Sequence, residues 1–161
     1  MVFYGANEAD ILTGETFYDV DLSKTYPSYN ALELWQNVTV SNDLRILDGS
    51  MELNLPTDLF ITGNLIINQD AGLNANDGYG PLIYVGKNWS NFNIGFSDHH
   101  GFDAGDYSTV YFNGGADQYL TKDGTEEIFN HLTIDKSSGY FRSNDNITCT
   151  GNMDILWRMV R

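Results

Sequence analysis

Short alternating apolar runs recur along the whole chain, and each one ends at Gly, Asn or Asp. The runs are VTVSNDLRIL, LFITGNLIIN, PLIYVGKNWSNFNI, STVYFNG, NHLTIDKS and NITCTGNMDI. Each has the length of a strand, and a period of two with turn residues at its ends is the pattern of a half-buried strand rather than a helix. The chain is therefore expected to be all-β. The runs also superpose on one another: Asn42-Asp43-Leu44, Gly63-Asn64-Leu65, Lys87-Asn88-Trp89 and Gly151-Asn152-Met153 each place a small or polar corner before an apolar position. Asp43 and Asn64 lie 21 residues apart and Asn64 and Asn88 lie 24 apart, within the range of solenoid repeats.

A longer echo joins the two halves. VFYGANEADILTGETFYDVDLSK, from residue 2, resembles VYFNGGADQYLTKDGTEEIFNHLTIDK, so that Leu12-Thr13 matches Leu120-Thr121 and Phe17, Val20, Leu22 and Lys24 match Phe129, Leu132, Ile134 and Lys136. This predicts about five coils per long period. With no coil before the first copy, the chain reads as a piece of a longer one. Neither a recurring leucine framework nor 3.6-residue stripes are present, which argues against leucine-rich and helical repeats. The expected architecture is a single right-handed parallel β-helix over residues 1–161, with coils of about 20–24 residues, Gly, Asn and Asp at the corners and an enlarged loop near 93–101. An antiparallel β-sandwich is the alternative.

Composition limits the function classes. With 42% hydrophobic residues the 161-residue chain can bury one core, and its 22 acidic against 8 basic residues repel a phosphate backbone, so nucleic acid is not an expected partner. No apolar run reaches the roughly 20 residues of a membrane-spanning helix, so direct membrane insertion is not expected. Cys149 is the single cysteine, so the fold is expected to hold by packing and hydrogen bonds.

The densest group of potential ligands is Asp98, His99, His100, Asp103 and Asp106, a set that suits zinc or iron through histidine, or Ca2+ through carboxylates. The adjacent histidines of an extended segment point to opposite faces, and no spaced metal motif is present, so a polar lateral loop is the competing reading. Trp35 and Trp89 are candidate carbohydrate contacts, whereas Phe3, Tyr4, Phe17, Tyr111, Phe112 and Phe129 read as core or lateral packing. No catalytic residue is assigned. Paired carboxylates about 5–9 Å apart on neighbouring coils would suit sugar chemistry. Asp19 and Asp21, however, become His131 and Thr133 in the echo, and no basic cluster marks a groove for a sugar acid. GxSxG is missing, His131 lies among apolar neighbours, and Glu126 and Glu127 read as solvated turn charges. Asn37, Asn88 and Asn146 begin N-x-Ser/Thr triplets, and the threonines keep no common spacing of the kind an ice-binding face needs.

Gly86, Asn88, Trp89 and Asn91, then Phe102, Gly105, Thr109, Val110, Phe112, Asn113 and Gly114, then Gln118, Phe129, Leu132, Ile134, Lys136 and Ser137 form a pattern. It resembles repeats of large secreted surface proteins of the Bacteroidetes, especially flavobacterial adhesin-like and gliding-associated proteins. The resemblance covers most of residues 38–155 and, in part, residues 2–24. It implies a non-catalytic stalk or adhesive region on the extracellular cell surface, exported by type IX secretion. The partners it implies are surface glycans, other cell-envelope proteins and flanking coils of the same chain. The insertion NIGFSDHHG and the closing LWRMVR depart from that pattern. A carbohydrate-binding or polysaccharide-degrading module is the alternative function.

Overall fold

The structure is a computed structural model and describes residues 1–25, 32–54, 57–76, 78–93, 101–123 and 125–157. Its chain winds through three faces in seven passes. The first pass is β1 (Val2–Tyr4), β2 (Asp10–Ile11) and β3 (Glu15–Phe17), and the second is β4 (Val20–Ser23), β5 (Leu32–Leu34) and β6 (Val38–Val40). In the third, the long β7 (Leu44–Leu53) serves two faces and β8 (Leu59–Ile61) the third. The fourth is β9 (Leu65–Ile67), β10 (Ala71–Asn74) and β11 (Leu82–Val85); the fifth is β12 (Trp89–Asn91), β13 (Gly101–Asp103) and β14 (Thr109–Phe112). The sixth is β15 (Gln118–Lys122), β16 (Glu127–Phe129) and β17 (His131–Lys136), and the seventh β18 (Phe141–Ser143), β19 (Ile147–Cys149) and β20 (Met153–Trp157).

The first face stacks β1-β4-β7-β9-β12-β15-β18 and the third β3-β6-β8-β11-β14-β17-β20. Every described strand pair is parallel, so the sandwich is set aside in favour of a β-solenoid of about six turns. At the ordinary strand spacing of about 4.8 Å, six intervals make a rod of about 29 Å. The second face is divided: β2-β5-β7-β10-β13 is continuous, whereas β16 and β19 form a separate pair. The division falls in the widest turn. Trp89 pairs with Leu120, 31 residues on, whereas Leu44 pairs with Leu65 after 21.

Alternation decides what lies inside. On the third face Val38, Leu59, Ile83, Val110 and Leu132 form one inward column, and Val40, Ile61, Val85, Phe112 and Ile134 form the next. All are 6% exposed or less. Between them an outward column runs Thr16, Thr39, Phe60, Tyr84, Tyr111, Thr133, Asp154.

Side-chain acceptors close the corners by taking the backbone N–H of the next pass, which leaves fewer orphan donors where the ladder stops. Asp19 Oδ1 accepts from Asp43 N and Asn42 Nδ2, Asp43 Oδ1 from Asn64 N and Nδ2, Asn64 Oδ1 from Asn88 N, and Asn88 Oδ1 from Tyr119 N, at 2.9–3.2 Å. These hydrogen bonds hold the Asp19 carboxyl below its usual range, the backbone bond from Asp43 contributing most. Three of the four recurrent corners thus fall in one column, between the third and first faces. Asn152 belongs instead to the corner between the second and third faces. There Asp58 N donates to Asn37 Oδ1 (2.8 Å), Leu82 N to Asp58 Oδ1 (3.1 Å) and Asn152 N to His131 Nδ1 (2.9 Å).

His131 is therefore a corner acceptor with Nδ1 unprotonated. His131→Asn is expected to keep that hydrogen bond, and His131→Leu to lower stability by about 1 kcal/mol. Thermal unfolding of the two variants checks the difference, and equal losses would refute the role.

The long echo has a different geometry from the one expected. Residues 2–24 begin on the first face, but their counterparts begin with β14 on the third, so the echo matches β1 to β14 and β4 to β17. It repeats a strand-and-corner unit, not a whole number of turns. Its matched lysines nonetheless play the same part. Lys24 Nζ donates to Asn7 O, and Lys136 Nζ donates to Gly114 O and Ala116 O, both at 2.6 Å. In each case a buried ammonium closes the corner of the pass before it.

Candidate functional site

Between the third and first faces, Thr62, Gly86 and Gly114 stand above one another. A Cβ on Gly86 would lie 2.2 Å from Thr62 O, and one on Gly114 would lie 1.9 Å from Gly86 O. Glycine lets the backbones nest there, which draws the corner inward. A groove of about 490 Å³ results, lined by Phe60, Ile61, Thr62, Tyr84, Gly86, Lys87 and residues 113–116.

The aromatic wall of this groove is the outward column. Phe60 and Tyr84 stack with centroids 4.9 Å apart and planes 8° apart, and Tyr84 stacks on Tyr111 at 4.6 Å and 13°. Tyr84 is covered on both flat faces, so it turns an edge to the groove. Burial, followed by Tyr111 and Asp58, pushes its hydroxyl above the ordinary tyrosine value. Exposed Lys87 and Asn113 supply donors at the rim, and the groove also meets the backbone of Gly114, Gly115 and Ala116. The groove thus sets apolar ring edges beside hydrogen-bonding groups of Lys87 and Asn113.

A second cluster lies inside, where the second face divides. Glu127 is 2% exposed, and its Oε2 accepts from Trp89 Nε1 at 2.7 Å and from Asn91 Nδ2 at 3.0 Å. Asn91 Nδ2 also stands 3.2 Å from Oε1. Burial raises the Glu127 carboxyl from 4.5 to about 7, against the opposing pulls of the Trp89 hydrogen bond, the Lys122 charge and the Asn91 amide. Lys122 Nζ donates to Asn93 O, and burial lowers its pKa. On the same pass, at the other end of β15, Gln118 Nε2 donates to Val85 O (2.8 Å) and Lys87 O (2.6 Å). Its Oε1 accepts from Gly114 N (2.9 Å) and Lys136 Nζ (2.8 Å). These groups bind the turns to one another and face the core.

The sequence candidates fall in several places. Asp98, His99 and His100 lie outside the described residues. Asp103 is half-buried; its Oδ1 accepts from Gly105 N at 3.1 Å and its Oδ2 from Asn76 Nδ2 at 3.4 Å, which makes it a turn-closing residue. Asp106 is exposed. Among the described residues no three His, Cys, Asp or Glu side chains are grouped to hold a metal ion. Trp35 is half-buried beside β5. Trp89 requires a correction as a glycan contact: it is fully buried, with Phe102, Phe112 and Phe129 around its ring at 4.9, 6.2 and 5.4 Å. Glu127 is likewise a core residue rather than a solvated turn charge. The groove escaped the sequence reading because it arises from coil stacking, although the glycines that shape it were legible as corners.

No family model, no curated protein and no solved structure matches this chain.

Proposed function

We propose that the chain is a structural or adhesive stalk segment of an extracellular cell-surface protein, with no catalytic chemistry of its own. The observation that carries this reading is where the buried ionisable groups direct their hydrogen bonds. Lys24, Lys122 and Lys136 cap corner carbonyls, and Glu127 accepts from Trp89 and Asn91, so each serves turn-to-turn cohesion. The resemblance to flavobacterial surface repeats adds export by type IX secretion, a link to gliding or attachment, and glycans or envelope proteins as partners. Beads coated with the chain are expected to adhere to glycan-bearing or cell-envelope surfaces without releasing reducing ends from polysaccharides. Release of reducing ends by the pure chain would overturn the reading.

The groove beside Tyr84 favours a second reading, a carbohydrate-binding module. In that case a glycan array gives a defined hit, and Tyr84→Ala or Lys87→Ala lowers its affinity about tenfold, or about 1.4 kcal/mol. Equal binding by both variants would remove the groove from consideration.

A further inference from the structure

One inward column changes its chemistry partway along the rod. On the first face Ile46 and Ile67 are followed in register by Asn91 and then Lys122, so an amide and an amine take apolar places on successive passes. Asn91 and Lys122 are direct partners on neighbouring parallel strands, whose backbones run about 4.8 Å apart. Both are buried and, with Glu127, at most 5% exposed.

Hydrogen bonds gather these groups around one amide. Asn91 Nδ2 lies 3.0 Å from Glu127 Oε2 and 3.2 Å from Oε1. Asn91 Oδ1 accepts from Asn93 N at 3.1 Å, and Lys122 Nζ donates to Asn93 O. Asn93 therefore touches both the amide oxygen of Asn91 and the amine of Lys122, while Glu127 holds the amide nitrogen. The charges suit a reaction as well. Burial lowers the pKa of Lys122 and raises that of Glu127 to about 7, so a proton passes from ammonium to carboxylate more readily than in water. That transfer leaves a nucleophilic amine and a carboxylic acid at the same amide.

We infer that Lys122 Nζ and Asn91 Cγ join in an intramolecular isopeptide bond, with Glu127 carrying the protons and ammonia leaving. The Nζ lone pair attacks Cγ, and the Asn93 N–H holds the charge that develops on Oδ1. The Glu127 carboxylic acid protonates Nδ2, and the resulting carboxylate takes a proton from Nζ; the Cγ–Nδ2 bond then breaks as the carbonyl re-forms. An amine and a primary amide become a secondary amide and one ammonia, with no change of oxidation state. The bond ties the fifth pass to the sixth in the widest turn, where β13 and β16 are not bonded to each other. Nζ must leave Asn93 O before it attacks, so linking is slower than folding and the freshly folded chain is the unlinked reactant. The reaction occurs once per chain and acts on no outside substrate, so it is independent of what the rod attaches to.

Intact-mass spectrometry of the whole chain, followed over days at neutral pH, tests it. A growing fraction lighter by one ammonia is expected, and proteolysis is expected to recover the segments holding Asn91 and Lys122 as one branched peptide. Lys136 Nζ also meets an amide, at Gln118 Oε1, but the Gln118 Nε2 contacts carbonyls and no carboxyl, so loss of a second ammonia is not expected. Lys122→Arg is expected to keep its full mass. Glu127→Gln is expected to link at least about 100-fold more slowly, the lower range for loss of a general acid–base. Circular dichroism confirms that both variants fold. A folded parent that keeps its full mass would overturn the inference. So would ammonia loss that leaves the two segments on separate peptides, the mark of a succinimide, or a Glu127→Gln variant that links at the parent's rate.

Discussion

Trp89→Ala is expected to lower folding stability by about 3–5 kcal/mol, a large share of the roughly 5–15 kcal/mol that holds a domain folded. Trp89 has the largest fully buried side chain, and the rings of Phe102, Phe112 and Phe129 close around it. They come from the second and third faces, so the cavity left by alanine would open where β13 and β16 are not bonded to each other. The loss has a polar part as well, because Glu127 would lose the indole N–H 2.7 Å from its Oε2. Trp89→Phe separates the two contributions. It keeps much of the ring volume but removes the donor, and is expected to cost about 1–3 kcal/mol, the range for depriving a buried polar group of its partner. Urea unfolding of the three proteins gives the order. A loss below 1 kcal/mol for the alanine variant would mean that the ring does not join the faces.

Period-two alternation made the solenoid legible, and it also held information that residue type concealed. In VDLSK, Val20, Leu22 and Lys24 share one parity; in QYLTK, Gln118, Leu120 and Lys122 do; in HLTIDK, Leu132, Ile134 and Lys136 do. Parity alone places all three lysines inside, where the structure buries them. Their charge suggests solvent because an isolated buried ammonium is costly, but a corner carbonyl from the preceding turn makes burial tenable. Glu127 has the same parity as Phe129, and Trp89 follows Asn88 as the inward Leu65 follows Asn64. What sequence could not supply was the contact between turns. The pairing of Trp89 with Leu120 depends on a 31-residue turn whose length no motif announces, and the Thr62, Gly86 and Gly114 stack forms only after registers are fixed. Local corners repeat even where whole turns do not, which is why the long echo matched strands on different faces.

The Glu127 carboxyl gives the chain an unusual pH dependence. Unfolded, it titrates near 4.5; folded, burial raises it to about 7, which makes ionisation cost about 3 kcal/mol more in the fold than in the unfolded chain. Between these values the folded state keeps a proton that the unfolded chain has released. Unfolding therefore releases a proton in this window, and stability falls as pH rises. The contribution is fully present below 4.5 and is lost as pH rises through about 7. Lys122 faces the carboxyl and opposes the effect, while Asp123 and Asp145 act on Lys122 from the same pass and the next. Glu127→Gln keeps an acceptor for the Trp89 N–H but cannot ionise. Its stability is expected to match the parent near pH 4.5 and to exceed it by about 3 kcal/mol above pH 7. Comparing the two proteins isolates this group from the repulsion among the other carboxylates, which both share. Urea unfolding at closely spaced pH values measures the difference, with Trp89 fluorescence reporting on the same hydrogen bond in the parent. Parallel stability curves across pH 4.5–7 would show that Glu127 is ionised in the fold throughout and that Lys122 and the two N–H donors outweigh its burial.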